Sequence, residues 1–240
     1  MATYPHVFQP TLDDIFKQPY RLSGRWAAEV FHNDHPVVVE LGCGKGEYTV
    51  GLAKRYTDCN FIGVDIKGAR MWVGATAALR DHIANAAFLR TRIEMIDHCF
   101  APGEISEIWI TFPDPQPQRT RINKRLTCAR FLNRYRQCLQ PGGIVHLKTD
   151  NTLLYTYTSR LAEYNHFEIL TQTDDLYHSG IDDDILSIRT HYETLFMGRG
   201  ERIKYLTFRM NPNVEVMELP DELTVCATDS ERSKPSPRRS

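Results

Sequence analysis

From residue 36 to residue 164 the chain repeats one phrase. A short apolar, β-branched run closes on glycine, proline or an acid, and a longer stretch with helical spacing follows. The runs are PVVVELG (36–42), NFIGVDI (60–66), AAFLRTR (86–92), EIWITFP (107–113) and GGIVHLKTD (142–150). The helical stretches are 45–56, 68–82, 123–139 and 151–164. Runs this short and apolar suit strands buried on both faces. Their alternation with helices predicts βαβ units and a mainly parallel sheet. Right-handed crossovers put helices on both of its faces. Two later runs, 166–173 and 203–210, carry more threonine and aromatic side chains and suit a final antiparallel pair. The expected fold is therefore α/β: a doubly wound, mainly parallel, seven-stranded sheet.

Residues 1–35 read as a polar N-terminal extension in which TLDD opens a short helix, and 36–210 as the folded domain. Residues 211–240, ending ERSKPSPRRS, read as a disordered tail, since charge and proline without aromatics cannot build a core. The 240 residues, 42% hydrophobic and 25% charged, suffice for one ordinary core. No apolar run is long enough to predict a membrane span, so no membrane partner is expected. The opening MATYPHVFQP has neither the charged nor the apolar region of a signal peptide. Six cysteines without a CxxC pair point to reduced thiols and a cytoplasmic protein, not to zinc or disulfides. HNDH (32–35) is an isolated histidine pair in an irregular stretch, and no metal is expected. The sequence fixes no oligomeric state; monomer and homodimer both stay open.

The formal net charge of −1 conceals a local imbalance. No Asp or Glu occurs from Pro115 to Thr149, a stretch that holds Arg119, Arg121, Lys124, Arg125, Arg130, Arg134, Arg136 and Lys148. A near-neutral chain with one basic block predicts a local anionic partner.

Two motifs carry chemistry. In ELGCGKGE (40–47), Gly42, Gly44 and Gly46 let a ligand approach the backbone at a strand-to-helix turn, with Glu40 just before them. Asp65 ends the next strand, where an acid can accept from both ribose hydroxyls of an adenosine. Ligands of open parallel sheets bind at this carboxyl edge. The glycine pattern is GxGxG, one residue short of the dinucleotide fingerprint, so the nucleoside pocket of class I S-adenosylmethionine-dependent methyltransferases is the nearer likeness and an NAD site the competing one. The second motif, TFPDPQP (111–117), brackets Asp114 with prolines at the end of another strand. Prolines restrict their own φ and the residue before them, which predicts a stiff, extended loop offering Asp114 on the same rim.

ELGCGKG, TFPDPQPQRTRINKRL, HLKTD and RTHYETLFMGRG stand in this chain in the order of the bacterial tRNA (guanine-N7-)-methyltransferase family, and the resemblance spans about residues 36–210. It implies a Rossmann-like class I methyltransferase with S-adenosyl-L-methionine as cofactor and tRNA as partner. The methyl group would go to N7 of guanosine 46 in the variable loop. Glu40 and Asp65 look like the cofactor-binding acids and Asp114 like the catalytic aspartate beside cofactor and guanine. Asp150, Thr190 and Glu193 look like substrate-binding residues, and Thr120 to Arg125 like the RNA-contact loop, flanked by Arg119. Three positions depart from the family: Gln116 replaces a common Trp, Gln118 a common substrate-contacting Lys, and Arg92 an acid near the adenine. Gln118 and Arg92 are carried as substrate- and cofactor-pocket positions respectively.

This residue set suits the reaction. Guanine N7 has a lone pair and no proton to lose, so near-attack positioning dominates. The product ring is cationic, and carboxylates stabilise the charge as it develops. Carboxylates such as Asp150 and Glu193 can also accept from the N1–H and N2–H edge that distinguishes guanine from adenine. Arg119, Arg121, Lys124 and Arg125 would meet phosphates that those acids would otherwise repel. The competing readings are the same fold acting on a small molecule or protein, an NAD-dependent oxidoreductase, and a non-catalytic RNA-binding module.

Overall fold

The computed structural model describes residues 4–16, 20–181, 188, 191–198, 200–224 and 226. Eight strands form one sheet: β1 (Val7–Phe8), β2 (Val37–Leu41), β3 (Asn60–Asp65), β4 (Ala86–Arg90), β5 (Ile105–Thr111), β6 (Leu139–Thr149), β7 (Glu168–Thr173) and β8 (Lys204–Arg209). Their spatial order is β1-β4-β3-β2-β5-β6-β8-β7. All pairings from β1 across to β6 are parallel, and β8 runs antiparallel to both β6 and β7. The central strand β2 is wholly buried and sets Val39 opposite Ile62 on one side and Ile108 on the other. That is why its sequence shows no alternation.

Helices α1 (Leu12–Phe16), α2 (Glu47–Arg55), α3 (Gly68–Arg80), α4 (Ile96–Cys99), α5 (Ala129–Cys138), α6 (Thr152–Tyr164) and α7 (His191–Met197) complete the fold. One apolar cluster joins α4, α5 and α6 to one face of the sheet, and a second joins α2, α3 and α7 to the other. Helices therefore cover both faces, as the alternation predicted.

The strand count is corrected from seven to eight. Val7 and Phe8 pair with Phe88 and Leu89 at the sheet edge. Two residues are too few to show a strand period, so nothing in the sequence marks them. The short helix at TLDD forms as α1; Asp14 accepts from the Thr11 amide and hydroxyl, each at 2.7 Å, and so fixes its first turn. A single π-helical turn, Trp26–Phe31, follows. It buries Trp26 completely, with the indole N–H donating to Cys99 O at 2.9 Å and the ring stacked on Phe100. The expected helix over 123–139 begins only at Ala129, because Arg125 and Cys128 are extended and a 3-10 turn occupies Arg119–Lys124. At the other end, residues 211–224 are held in part against α5 and α6. Val216 and Leu219 are buried, Asn133 donates to Val216 O at 2.8 Å, and Tyr157 Oη donates to Glu218 at 2.7 Å.

Candidate active site at the carboxyl edge of the sheet

After β2 the chain turns through Gly42 and Gly44 toward α2, and the Gly42 and Cys43 amides donate to Val64 O of β3 at 2.8 and 3.1 Å. Asp65, at the end of β3, locks the turn from the other side. Its carboxylate accepts the Gly44 amide at 3.0 Å and the Lys67 amide at 2.7 Å. Gly44 has φ +54, and a Cβ placed there would meet nothing closer than 3.9 Å, so its bare backbone faces open space. Gly46 has another task. A Cβ on it would lie 2.6 Å from the Phe88 ring and 3.2 Å from Gly74 Cα. It lets α2 and α3 meet, and of the three glycines of the turn it is Gly42 and Gly44 that line the cleft.

Glu40 lies under the turn, 3% exposed. Thr49 donates to one carboxylate oxygen through its amide at 2.9 Å and its hydroxyl, and Thr111 Oγ1 donates to the other at 2.6 Å. Burial pushes its pKa up to about 7, and the Asp65 charge adds to the rise. The threonine donors oppose the rise without cancelling it.

Asp114 is reached by a different route. β5 ends at Thr111, and the next residue, Phe112, has φ +47. Left-handed backbone is costly for an aromatic residue and persists only where surroundings enforce it. Here the Phe112 amide donates to Lys148 O at 2.8 Å, and its buried ring stacks on Phe196 of α7. Gln116 is also left-handed, at φ +44. The proline loop is thus kinked at both shoulders, which corrects the extended loop expected from the prolines. Asp114 is left exposed between them, its Oδ1 accepting only a local bond from the Gln116 amide at 3.2 Å among the contacts described.

A cleft of about 180 Å³ opens between these loops. Glu40, Gly42, Gly44, Asp65 and Asp114 all line it, so the structure brings five predicted residues together. It adds Lys45, Lys67, Arg70, Thr111 and Leu126, which the sequence reading passed over. The acids and bare backbone fit a cationic, hydroxyl-bearing nucleoside cofactor, for which Asp65 offers acceptor oxygens beside Gly44. Arg92 is exposed and outside the lining. Gln118 is exposed at the start of the 3-10 turn. Asp150 sits half-buried just past β6, where its carbonyl accepts from Lys204 Nζ at 3.0 Å. Thr190 lies outside the described residues.

Two predicted residues are placed differently from expectation. Glu193 does not line the cleft: its side chain is fully buried and ion-paired with equally buried Lys148 at 2.8 Å, and Tyr177 Oη donates to the same carboxylate. A lysine inside the apolar run GGIVHLKTD was the signal for this pair, because a buried cation requires a partner. Arg125 is not on the RNA-facing surface. It is wholly buried, its guanidinium 4.4 Å from the Tyr157 ring centroid, with Nε donating to Gln116 O at 3.2 Å. Arg121 and Lys124 are exposed, as expected, and Arg119 is ion-paired with Asp221. Among the described residues, no group of three or more His, Cys, Asp or Glu side chains could hold a metal ion, and no helix is long and apolar enough to cross a membrane.

Comparison with known proteins gives one direction. The family described as "Putative methyltransferase" matches residues 34–206. A tRNA (guanine-N(7)-)-methyltransferase of Bacteroides thetaiotaomicron is 52% identical over 221 residues, covering 92% of this chain and 86% of that protein. The protein of the same name from Porphyromonas gingivalis is 51% identical over 244 residues, covering 100% and 98%. Among solved structures, the 16S rRNA methyltransferase KamB shares the fold, with a TM-score of 0.57 at 15% identity, covering 77% of this chain and 92% of that one.

Proposed function

The chain belongs to the tRNA (guanine-N7-)-methyltransferase family, and from that premise we propose that it methylates N7 of a guanosine in tRNA, at position 46 of the variable loop, with S-adenosyl-L-methionine as cofactor. The observation that carries the reading is one cleft lined by Asp65, the glycine turn and Asp114. The cofactor, when bound, supplies an electrophilic sulfonium methyl group. Asp65 and the bare backbone at Gly44 would bind it, with Glu40 fixing the floor through Thr49 and Thr111. N7 uses its lone pair to form the new N–CH₃ bond as the S–CH₃ bond breaks and its electrons return to sulfur. No proton moves in that step, so Asp114 acts as an electrostatic and positioning group beside the ring as it becomes cationic. Asp150 would accept from the far edge of guanine. Gln118 and Thr190 would complete the base pocket, and Glu193 would serve by holding α7 through Lys148. Arg119, Arg121 and Lys124 would take RNA phosphates. The expected cellular site is the cytoplasm, where tRNA is found.

The test is direct. Purified protein is incubated with methyl-labelled cofactor and unmodified tRNA, and the nuclease digest is analysed by mass spectrometry. 7-Methylguanosine mapping to position 46 is the expected result. Label transfer without RNA, or cofactor binding with no 7-methylguanosine, would overturn the reading.

A further inference from the structure

Basic side chains sort by position in this fold. Away from the carboxyl edge of the parallel strands, most are engaged. Lys54 and Arg80 meet Asp81, Arg134 meets Asp97, and Arg209 meets Glu168. Arg136 and Arg160 donate to the carbonyls of Pro212 and Leu223. Among the described residues, the cations whose side chains have no hydrogen bond or ion pair lie in the connections that leave that edge. Arg121, Lys124 and Arg130 follow β5, in the connection that holds the residues already assigned to RNA. Lys45 follows β2, Lys67 and Arg70 follow β3, and Arg92 follows β4. This second group leaves β2, β3 and β4, which all lie on one side of β5 in the sheet, and three of its members line the cleft itself as a second lip.

The acids nearby do not neutralise this second lip through contacts. Asp65 spends its carboxylate on the Gly44 and Lys67 backbone amides, and Glu40 is buried on threonine donors. Lys67 also stands at the start of α3, a helix of 13 residues whose amino end adds partial positive charge. Grouped cations without acid partners lose little on meeting a polyanion, and gain by releasing its condensed counterions.

We propose that Lys45, Lys67, Arg70 and Arg92 form a second RNA-phosphate surface, so that the backbone is held on both lips while one nucleotide enters the cleft between them. The proposal rests on the part of that reading that makes tRNA the bound partner. It replaces the reading of Arg92 as a cofactor position.

The experiment compares full-length wild type with the variant Lys67→Gln/Arg70→Gln/Arg92→Gln, which removes charge while keeping polar side chains of similar reach. Binding to tRNA is measured from 50 to 300 mM salt, and S-adenosylhomocysteine binding in parallel. Each lost phosphate contact lowers the salt slope by about 0.7 to 0.9, so the slope should fall by about 2. Affinity at about 100 mM salt should drop roughly 10- to 100-fold, and because Lys67 and Arg70 also line the cofactor cleft, the drop is read with and without saturating S-adenosylhomocysteine and should be the same in both. Arg121→Gln/Lys124→Gln serves as the comparison on the other lip. An unchanged slope in the triple variant, with the comparison variant responding, would overturn the proposal in favour of a one-sided surface. Loss of S-adenosylhomocysteine binding with the slope intact would overturn it in favour of a cofactor role. Wild-type tRNA binding without 7-methylguanosine formation would sink the proposed reaction and leave the two-lipped surface standing.

Discussion

Glu40 and Asp114 face the same cleft from neighbouring strands, and they are built in opposite ways. Glu40 belongs to the glycine-loop half, where the protein's own donors engage both Glu40 oxygens and hold Asp65 in place while leaving it lone pairs for a ligand. Asp114 belongs to the proline-loop half, where buried contacts go to Phe112 and Gln116 and the acid itself is left exposed. One half buries an acid to hold its shape, and the other leaves an acid exposed. The two acids should therefore fail differently when altered.

The largest separation is expected from Asp114→Asn. Turnover on tRNA should fall by about 10²- to 10³-fold, the scale of losing one transition-state electrostatic partner. Affinity for tRNA should change by no more than about threefold, and filter binding beside single-turnover kinetics would show it. Equal losses in both would erase the distinction between the two halves.

Glu40→Gln should act on stability and its pH dependence. Glu40 titrates near 7 in the folded state, above its ordinary value of 4.5, so the folded protein binds the extra proton between those limits. Its contribution is fully present below about pH 4.5 and is lost as pH rises through 7, a swing of up to about 3 kcal/mol. Urea denaturation at pH 5 and pH 8 should show that this component of the slope disappears in the variant. A slope identical to wild type would mean that Glu40 is ionised throughout.

Gly46→Ala tests the glycine half without touching an acid. The added Cβ meets Phe88 at 2.6 Å on left-handed backbone. A loss of about 2 kcal/mol is expected, read as a lower urea midpoint with an unchanged m-value. The smallest effect is expected from Arg125→Met. About 1 kcal/mol of stability should go with the Tyr157 contact, while the salt slope of tRNA binding stays at its wild-type value. A reduced slope would return Arg125 to the RNA surface.

The same contrast explains what could be read without coordinates. The parallel strands were legible because burial on both faces leaves uninterrupted apolar runs, and Asp65 because its place at a strand end is fixed by topology. β1 was not, since two residues carry no period. The surroundings of Gly46 and Arg125 were not legible for a shared reason. Each sits inside a motif whose neighbours line the cleft or stand exposed, and only tertiary neighbours, Phe88 for one and Tyr157 for the other, reveal that these two face inward. The second basic lip was hidden because its members come from three separate connections and never form a run in the sequence.

The stretch after β8 bears on the order in which these parts become complete. Glu218 accepts from the Ala129 amide at the start of α5 and from Tyr157, and the Arg125 guanidinium reaches Cys226 Sγ at 3.8 Å. Chains are synthesised from the amino end, and domains consolidate as their parts emerge. The glycine turn and Asp65 therefore precede, in the order of synthesis, the stretch after β8 that braces α5 and Arg125. Chain order thus separates the completion of the two halves of the cleft.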